Sequence, residues 1–231
     1  SRFEAGVART PRPGRGAVPN AAVSLTPLER LEGTITPSAL HFERHHSGIP
    51  EIDPQQHRLF IHGLVRRPLE FSLDSLHRYP LVSRVHFIEC SGNSSSLNAA
   101  VPAQALAGQL HGLLSCSEWT GVPLSVLLDE AGVEPAAQWI LAEGADAAAM
   151  SRSAPLAKAM DVAMVALYQN GEAIRPANGY PVRLLLPGYE GNTSVKWLRR
   201  IKLTAGPTMT KDETSKYTDL MADGRSRMFS L

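Results

Sequence analysis

His86-Phe87-Ile88-Glu89-Cys90-Ser91-Gly92-Asn93-Ser94-Ser95 joins a strand to a turn. Ser83 to Ile88 follows Pro80 and carries Val85, Phe87 and Ile88, the branched and aromatic residues that favour an extended chain. Cys90 falls where this strand gives way to Ser-Gly-Asn, residues that turn the backbone. A thiol at the end of a rigid strand is placed to act as a nucleophile or a metal ligand. A lone cysteine is also a small apolar packing residue, so the rest of the chain decides its role.

The chain has 231 residues, enough for one large domain or two small ones with a substantial core. Hydrophobic residues at 43% and charged residues at 19% give an ordinary globular balance. A net charge of +1 supplies no general electrostatic argument for nucleic acid or an anionic membrane. No apolar run approaches the roughly 18 residues that span a bilayer. The first residues lack the apolar core of a signal peptide, so any such leader has been removed or is not shown. Cys90 and Cys116 are the only cysteines, too few for a disulfide scaffold.

Residues 1–30 read as an extended arm, because Pro11, Pro13, Gly14 and Gly16 interrupt the arginines there. Without interleaved aromatic residues this arm does not point to nucleic acid. His41-Phe42-Glu43-Arg44-His45-His46 precedes a Gly/Pro turn. Consecutive side chains of an extended chain face opposite ways, so His45 and His46 are poor partners for one metal. The segment suits a cationic pocket wall, with Arg44 and a histidine gripping an anion. A solvated loop is the alternative.

Strands are expected at Arg58 to Gly63, Leu69 to Leu73, Trp139 to Ala142, Val162 to Tyr168, Gly179 to Gly188 and Val195 to Leu203. Short helices are expected at Leu73 to Tyr79, from Leu124 to a Gly132 stop, and between Ser153 and Met160. Asn170-Gly171 signals a hairpin. Cys116, just ahead of the Leu124 helix, reads as structural. Many short strands with few helices give an α+β fold. Arg183 in an apolar strand and Lys196 beside Trp197 are costly unless each finds an anionic partner, from the protein or from a ligand.

Cys90-Ser91-Gly92-Asn93, Glu143-Gly144-Ala145-Asp146, Tyr168 to Glu172, Gly179-Tyr180-Pro181-Val182-Arg183 and Pro187-Gly188 through Ser194 to Leu198 resemble, in order and spacing, the molybdopterin domain of the sulfite oxidase family. The resemblance runs from about Gly33 to Tyr217. Gly33 to Pro37, His41 to His46 and Glu213 to Met221 are most similar to one branch, the sulfane dehydrogenase molybdenum subunit of bacterial sulfur oxidation. The resemblance implies a sulfite-oxidase-type molybdopterin-binding fold with mixed β-sheets, a catalytic domain over residues 31–220, and residues 221–231 as the start of a connection to a dimerisation domain.

It also implies roles. Cys90 matches the thiolate ligand of molybdenum, a pairing that soft sulfur favours. Phe42, Arg44, His45 and His46 match the segment that contacts the cofactor and lines the substrate pocket. Asp146 and Asn178 match pterin contacts, with Asn178 standing where a histidine is common. Arg183 and Ser194-Val195-Lys196 match the grip on the pterin phosphate. Tyr217 matches a tyrosine beside the metal that holds substrate and assists proton movement. Ser95 stands where sulfite oxidases carry an arginine of the sulfite pocket.

The expected protein is a periplasmic molybdenum–molybdopterin oxidoreductase. It would oxidise a reduced sulfur substrate, either protein-bound sulfane on a sulfur-carrier protein or sulfite, with oxygen from water. Electrons would pass to a c-type cytochrome on another chain, since this one has no CxxCH. An uncovered apolar face near residues 220–231 leads one to expect self-association. Two other classes compete. A molybdopterin sulfoxide reductase would turn over a sulfoxide with a reduced dye. A non-catalytic scaffold with an empty pterin pocket would contain no molybdenum.

Overall fold

The computed structural model describes residues 10–11, 22–101 and 103–228. The fold is α+β, with mixed sheets and short helices. The Cys90 strand, Val82–Glu89, is an edge of a five-stranded sheet and pairs antiparallel with Leu114–Pro123, from Val82 opposite Gly121 to Glu89 opposite Leu114. Met164–Gln169 lies beyond Leu114–Pro123 and pairs in turn with Glu172–Ala173 and Arg183–Leu185. The Asn170-Gly171 turn closes the first of these pairs, with Asn170 at φ 52° and Gly171 at φ 77°.

A second five-stranded sheet runs in the order Leu69–Phe71, Leu59–Gly63, Leu198–Thr204, Trp139–Gly144, Ser151–Pro155. Its Leu59–Gly63 and Leu198–Thr204 strands are parallel, and its other neighbours antiparallel. The helix Leu124–Ala131 buries Leu124, Leu127, Leu128 and Ala131, the single stripe that its spacing dictates. Each fully buried leucine contributes roughly 1.5–3 kcal/mol. Gly132, at φ 72°, ends the helix by donating its N–H to the Leu128 and Asp129 carbonyls.

Part of the stretch read as an arm belongs to a sheet. Ala22–Leu25 pairs with both Thr10–Pro11 and Glu43–His45, and Leu25 is buried. Residues 1–9 and 12–21 lie outside the described residues. Ser226–Met228 folds back on Thr218–Leu220 as a hairpin, and residues 229–231 also lie outside the description.

Three expectations change. The ten-residue strand Leu114–Pro123 was not expected, and Cys116 lies within it. The Gly179–Gly188 strand contracts to Arg183–Leu185, because Gly179 sits at φ 116° and turns the chain. Ser151–Pro155 is a strand that was not expected, while the helical turn read after Pro155 is present as Leu156–Val162.

Candidate active site

A cavity of about 280 Å³ lies at the end of the Cys90 strand. Phe42, Arg44, His45 and His46 form one wall, from the Glu43–His45 strand and its flanks. His45 is the last residue of that strand, so strict alternation does not carry on to His46, and both border the cavity. Cys90, Ser91 and Gly92 contribute a second wall. Asp146 and Met150 come from the loop after Trp139–Gly144. Asn178, Arg183, Ser194, Val195 and Lys196 form the floor, and Tyr217 closes the remaining side. Of the side chains singled out from the sequence for this site, twelve border the cavity and Ser95 does not. His41, Ile88, Met150, Asn192 and Trp197 border it too and were not assigned there. For His41 and Trp197 the signal was present, since each adjoins a residue that was assigned.

The floor is cationic, with Arg183 buried and Lys196 half-buried. Arg183 is 3% exposed and donates through Nη1 to the Asn178 carbonyl at 2.8 Å and through Nη2 to the Ser194 carbonyl at 2.8 Å. Its guanidinium carbon lies 4.9 Å from the centre of the Trp119 ring. Burial pulls its pKa down to about 9. Lys196 Nζ donates to the carbonyls of Arg44 and Ala177, at 3.0 and 3.1 Å, and to His45 Nδ1 at 2.8 Å. His45 Nε2 faces Glu43 Oε2 at 3.1 Å, so the imidazole accepts on one nitrogen and donates from the other. Burial, with Arg183 and Arg44 nearby, holds the Lys196 ammonium well below the usual lysine range, against the opposing pull of Asp146 and Cys90.

Among the described residues, no carboxylate lies within ion-pair distance of Arg183 or Lys196. Buried cations held only by neutral acceptors are expensive. Arg183 Nε and Asn178 Oδ1 are both buried without a hydrogen-bond partner. This donor set fits an anionic phosphate, and the free amide oxygen fits an N–H of a polar ring. The Asn178 amide nitrogen is engaged within the protein, since Nδ2 faces Phe42 O at 3.4 Å and His41 Nδ1 at 3.3 Å. Gly144 keeps this floor close, because a Cβ there would meet the Lys196 carbonyl at 2.6 Å.

The thiol side is simpler. Cys90 is half-buried, and its N–H donates to the Leu113 carbonyl at 3.0 Å. Asn93 N–H donates to the Cys90 carbonyl at 2.8 Å and closes the turn. Cys116 is 1% exposed, burial pushes its thiol up, and it does not border the cavity. Among the described residues, no group of three or more His, Cys, Asp or Glu side chains could hold a metal ion. A metal at Cys90 would take its other ligands from outside this set of side chains. Burial and the Cys90 charge push the Tyr217 phenol up, while a hydrogen bond with Ser91 and the Arg152 charge oppose this. Ser95 is exposed and outside the cavity lining, so the serine itself is not part of this wall.

The chain belongs to the oxidoreductase molybdopterin binding domain family, whose profile matches residues 46–211. The site is accordingly that of a molybdenum–molybdopterin oxidoreductase domain of the sulfite oxidase type. Among solved structures, the crystal structure of the sulfane dehydrogenase SoxCD from Paracoccus pantotrophus is similar with a TM-score of 0.91 and 45% identity, covering 99% of this chain and 58% of that one. Mitochondrial sulfite oxidase from Mus musculus is 33% identical over 182 residues, 74% of this chain and 33% of that protein. NADPH nitrate reductase from Phytophthora infestans is 36% identical over 191 residues, 77% of this chain and 21% of that protein. The chain thus spans only part of each of these relatives. Among the described residues, no helix is long and apolar enough to cross a membrane.

Proposed function

We propose that this domain oxidises a reduced sulfur atom, carried on a protein or presented as sulfite, with oxygen from water. It passes the electrons to a c-type cytochrome and works in the periplasm. The observation that carries this reading is the convergence on one cavity of a half-buried thiol, the buried Arg183 and the half-buried Lys196, both cations without carboxylate partners among the described residues. The 45% identity to a sulfane dehydrogenase favours sulfur over nitrate as substrate.

Cys90 would hold the metal, and Arg183, Lys196, Ser194 and Asn178 the pterin and its phosphate. When bound, molybdenum–molybdopterin supplies a two-electron redox centre. The chain supplies the rest. Arg44 gives the wall it shares with His45 and His46 a positive charge that attracts and orients an anionic sulfur substrate. Tyr217 places a hydroxyl within reach of Ser91, where it can hold or release a proton at the phenol oxygen. Phe42 and Ile88, both buried, make the apolar side that limits water.

The test has two stages. Metal analysis should find about one molybdenum per chain, and none supports a scaffold instead. Steady-state assays with cytochrome c then compare protein-bound sulfane with free sulfite, alongside nitrate and a sulfoxide with a reduced dye. Turnover of nitrate or sulfoxide alone overturns the reading. The carrier-bound sulfur should be preferred, because contacts remote from the reacting atom add binding that free sulfite lacks.

A further inference from the structure

Arg152 is 1% exposed and does not border the cavity, yet it touches two residues that do. Its guanidinium carbon lies 4.3 Å from the centre of the Tyr217 ring. Its Nη1 donates to Asn192 Oδ1, and Asn192 also borders the cavity. Its Nε lies 3.3 Å from Glu213 Oε1, and Glu213 is itself only 3% exposed.

Glu213 stands one turn before Tyr217, and its carbonyl accepts the Tyr217 N–H at 3.3 Å. Its carboxylate also accepts from the N–H of Ser153, on the Ser151–Pro155 strand, and from Ser153 Oγ at 3.2 Å. The Lys211–Lys216 helix is only six residues long, and two such turns have little stability of their own. This buried anchor therefore helps fix Tyr217, together with the Thr210 cap, whose hydroxyl also donates to the Ser151 carbonyl of the same strand.

We propose that Arg152 is a positioning residue for Tyr217. One planar guanidinium lies over the phenol ring, ion-pairs with the helix that carries it and ties both to Asn192, another residue of the cavity lining. A buried guanidinium with a fixed fork suits this task, since it sets direction as well as charge. The proposal rests on the functional reading above for its kinetic consequence, and on geometry alone for its structural one.

The test uses Arg152→Met, and Arg152→Met with Glu213→Gln so that no buried carboxylate is left unpaired. Arg152→Lys keeps the charge. Purified protein labelled with 13C in the tyrosine rings gives few resonances, because the chain has only 5 tyrosines. The Tyr217 signal is assigned by its loss in Tyr217→Phe. It should move or broaden in both methionine variants while the others stay, and Arg152→Lys should restore part of its position.

In steady-state kinetics, kcat should fall about ten- to a hundredfold in the methionine variants, as displaced catalytic groups do, with a smaller change in KM. Combined with Tyr217→Phe, the loss should be no larger than that of the worse single change. A Tyr217 resonance that stays put in a folded variant, or losses that multiply, overturns the proposal. Wild-type protein that turns over no sulfur substrate defeats the functional reading instead, and the tyrosine spectrum then decides the role of Arg152 alone.

Discussion

Lys196 Nζ and His45 Nδ1 lie 2.8 Å apart, a lysine donating into a buried imidazole. Each can be neutral or cationic, and only one can be cationic comfortably at that distance. Because burial holds the lysine well below its ordinary range, the pair is poised to gain a proton when an anion arrives.

The first prediction follows from that poise. An anion beside Lys196 raises its pKa, so binding takes up a proton wherever the free chain holds the lysine partly neutral. Affinity for phosphate should therefore fall as pH rises through the depressed pKa of the free chain and level off below it. Stability of the cofactor-free chain should move the opposite way, rising with pH over the same window, because the unfolded chain binds more protons there. Calorimetry of inorganic phosphate in two buffers of different ionisation enthalpy measures the uptake. Lys196→Gln should abolish it.

The phosphate grip makes a second prediction. Arg183→Ala and Lys196→Ala should each lower the pterin content of purified protein, by about tenfold or more in affinity if a charge-assisted hydrogen bond contributes 1.5–3 kcal/mol. Pterin is read by fluorescence after acid release. Full occupancy in either variant counts against the grip.

The two thiols should separate cleanly. Cys90→Ser should abolish turnover and the visible metal–thiolate absorption while the fold survives. Cys116→Ser should keep both and cost only about 1 kcal/mol in a denaturant titration, since it replaces a buried apolar sulfur in a strand. If Cys116 proves the essential thiol, the assignment of the metal ligand is wrong.

A fourth prediction concerns association. Met209, Leu220 and Met221 are exposed by 80%, 78% and 42%, on the segments that flank the Tyr217 helix. Light scattering should show mass rising with concentration, and Leu220→Glu with Met221→Glu should suppress the rise. A monomer at every concentration leaves these side chains without the partner proposed for them.

Much of this was legible in the sequence, for identifiable reasons. Val85, Phe87 and Ile88 announced the strand, the leucines from Leu124 to Leu128 the helix, and Gly132 its stop. Arg183 and Lys196 drew notice because charge amid apolar residues needs an explanation, and the explanation lay in the cavity floor. Leu114–Pro123 escaped because Ser115, Cys116, Ser117 and Gly121 are weak strand formers. Its strand character comes from neighbours on both sides and from Gly121, where a Cβ would meet the Val165 carbonyl at 2.1 Å. Arg152 and Glu213 escaped for a related reason. They are 61 positions apart in the chain, and nothing local marks them as partners. Ser95 was placed by the family resemblance, and it lies outside the lining, just after Ser94 at φ 59°.

The cavity draws its walls from stretches as distant as Phe42 and Tyr217, and this bears on how the protein matures. No fragment of the chain holds more than part of the receptacle, and local contacts alone cannot assemble it. Cysteine, floor and lid come into register only when both five-stranded sheets have closed. Cofactor loading is then a late step on a nearly finished polypeptide. Lesions far from the cavity, in either sheet, should surface first as protein that accumulates without its pterin.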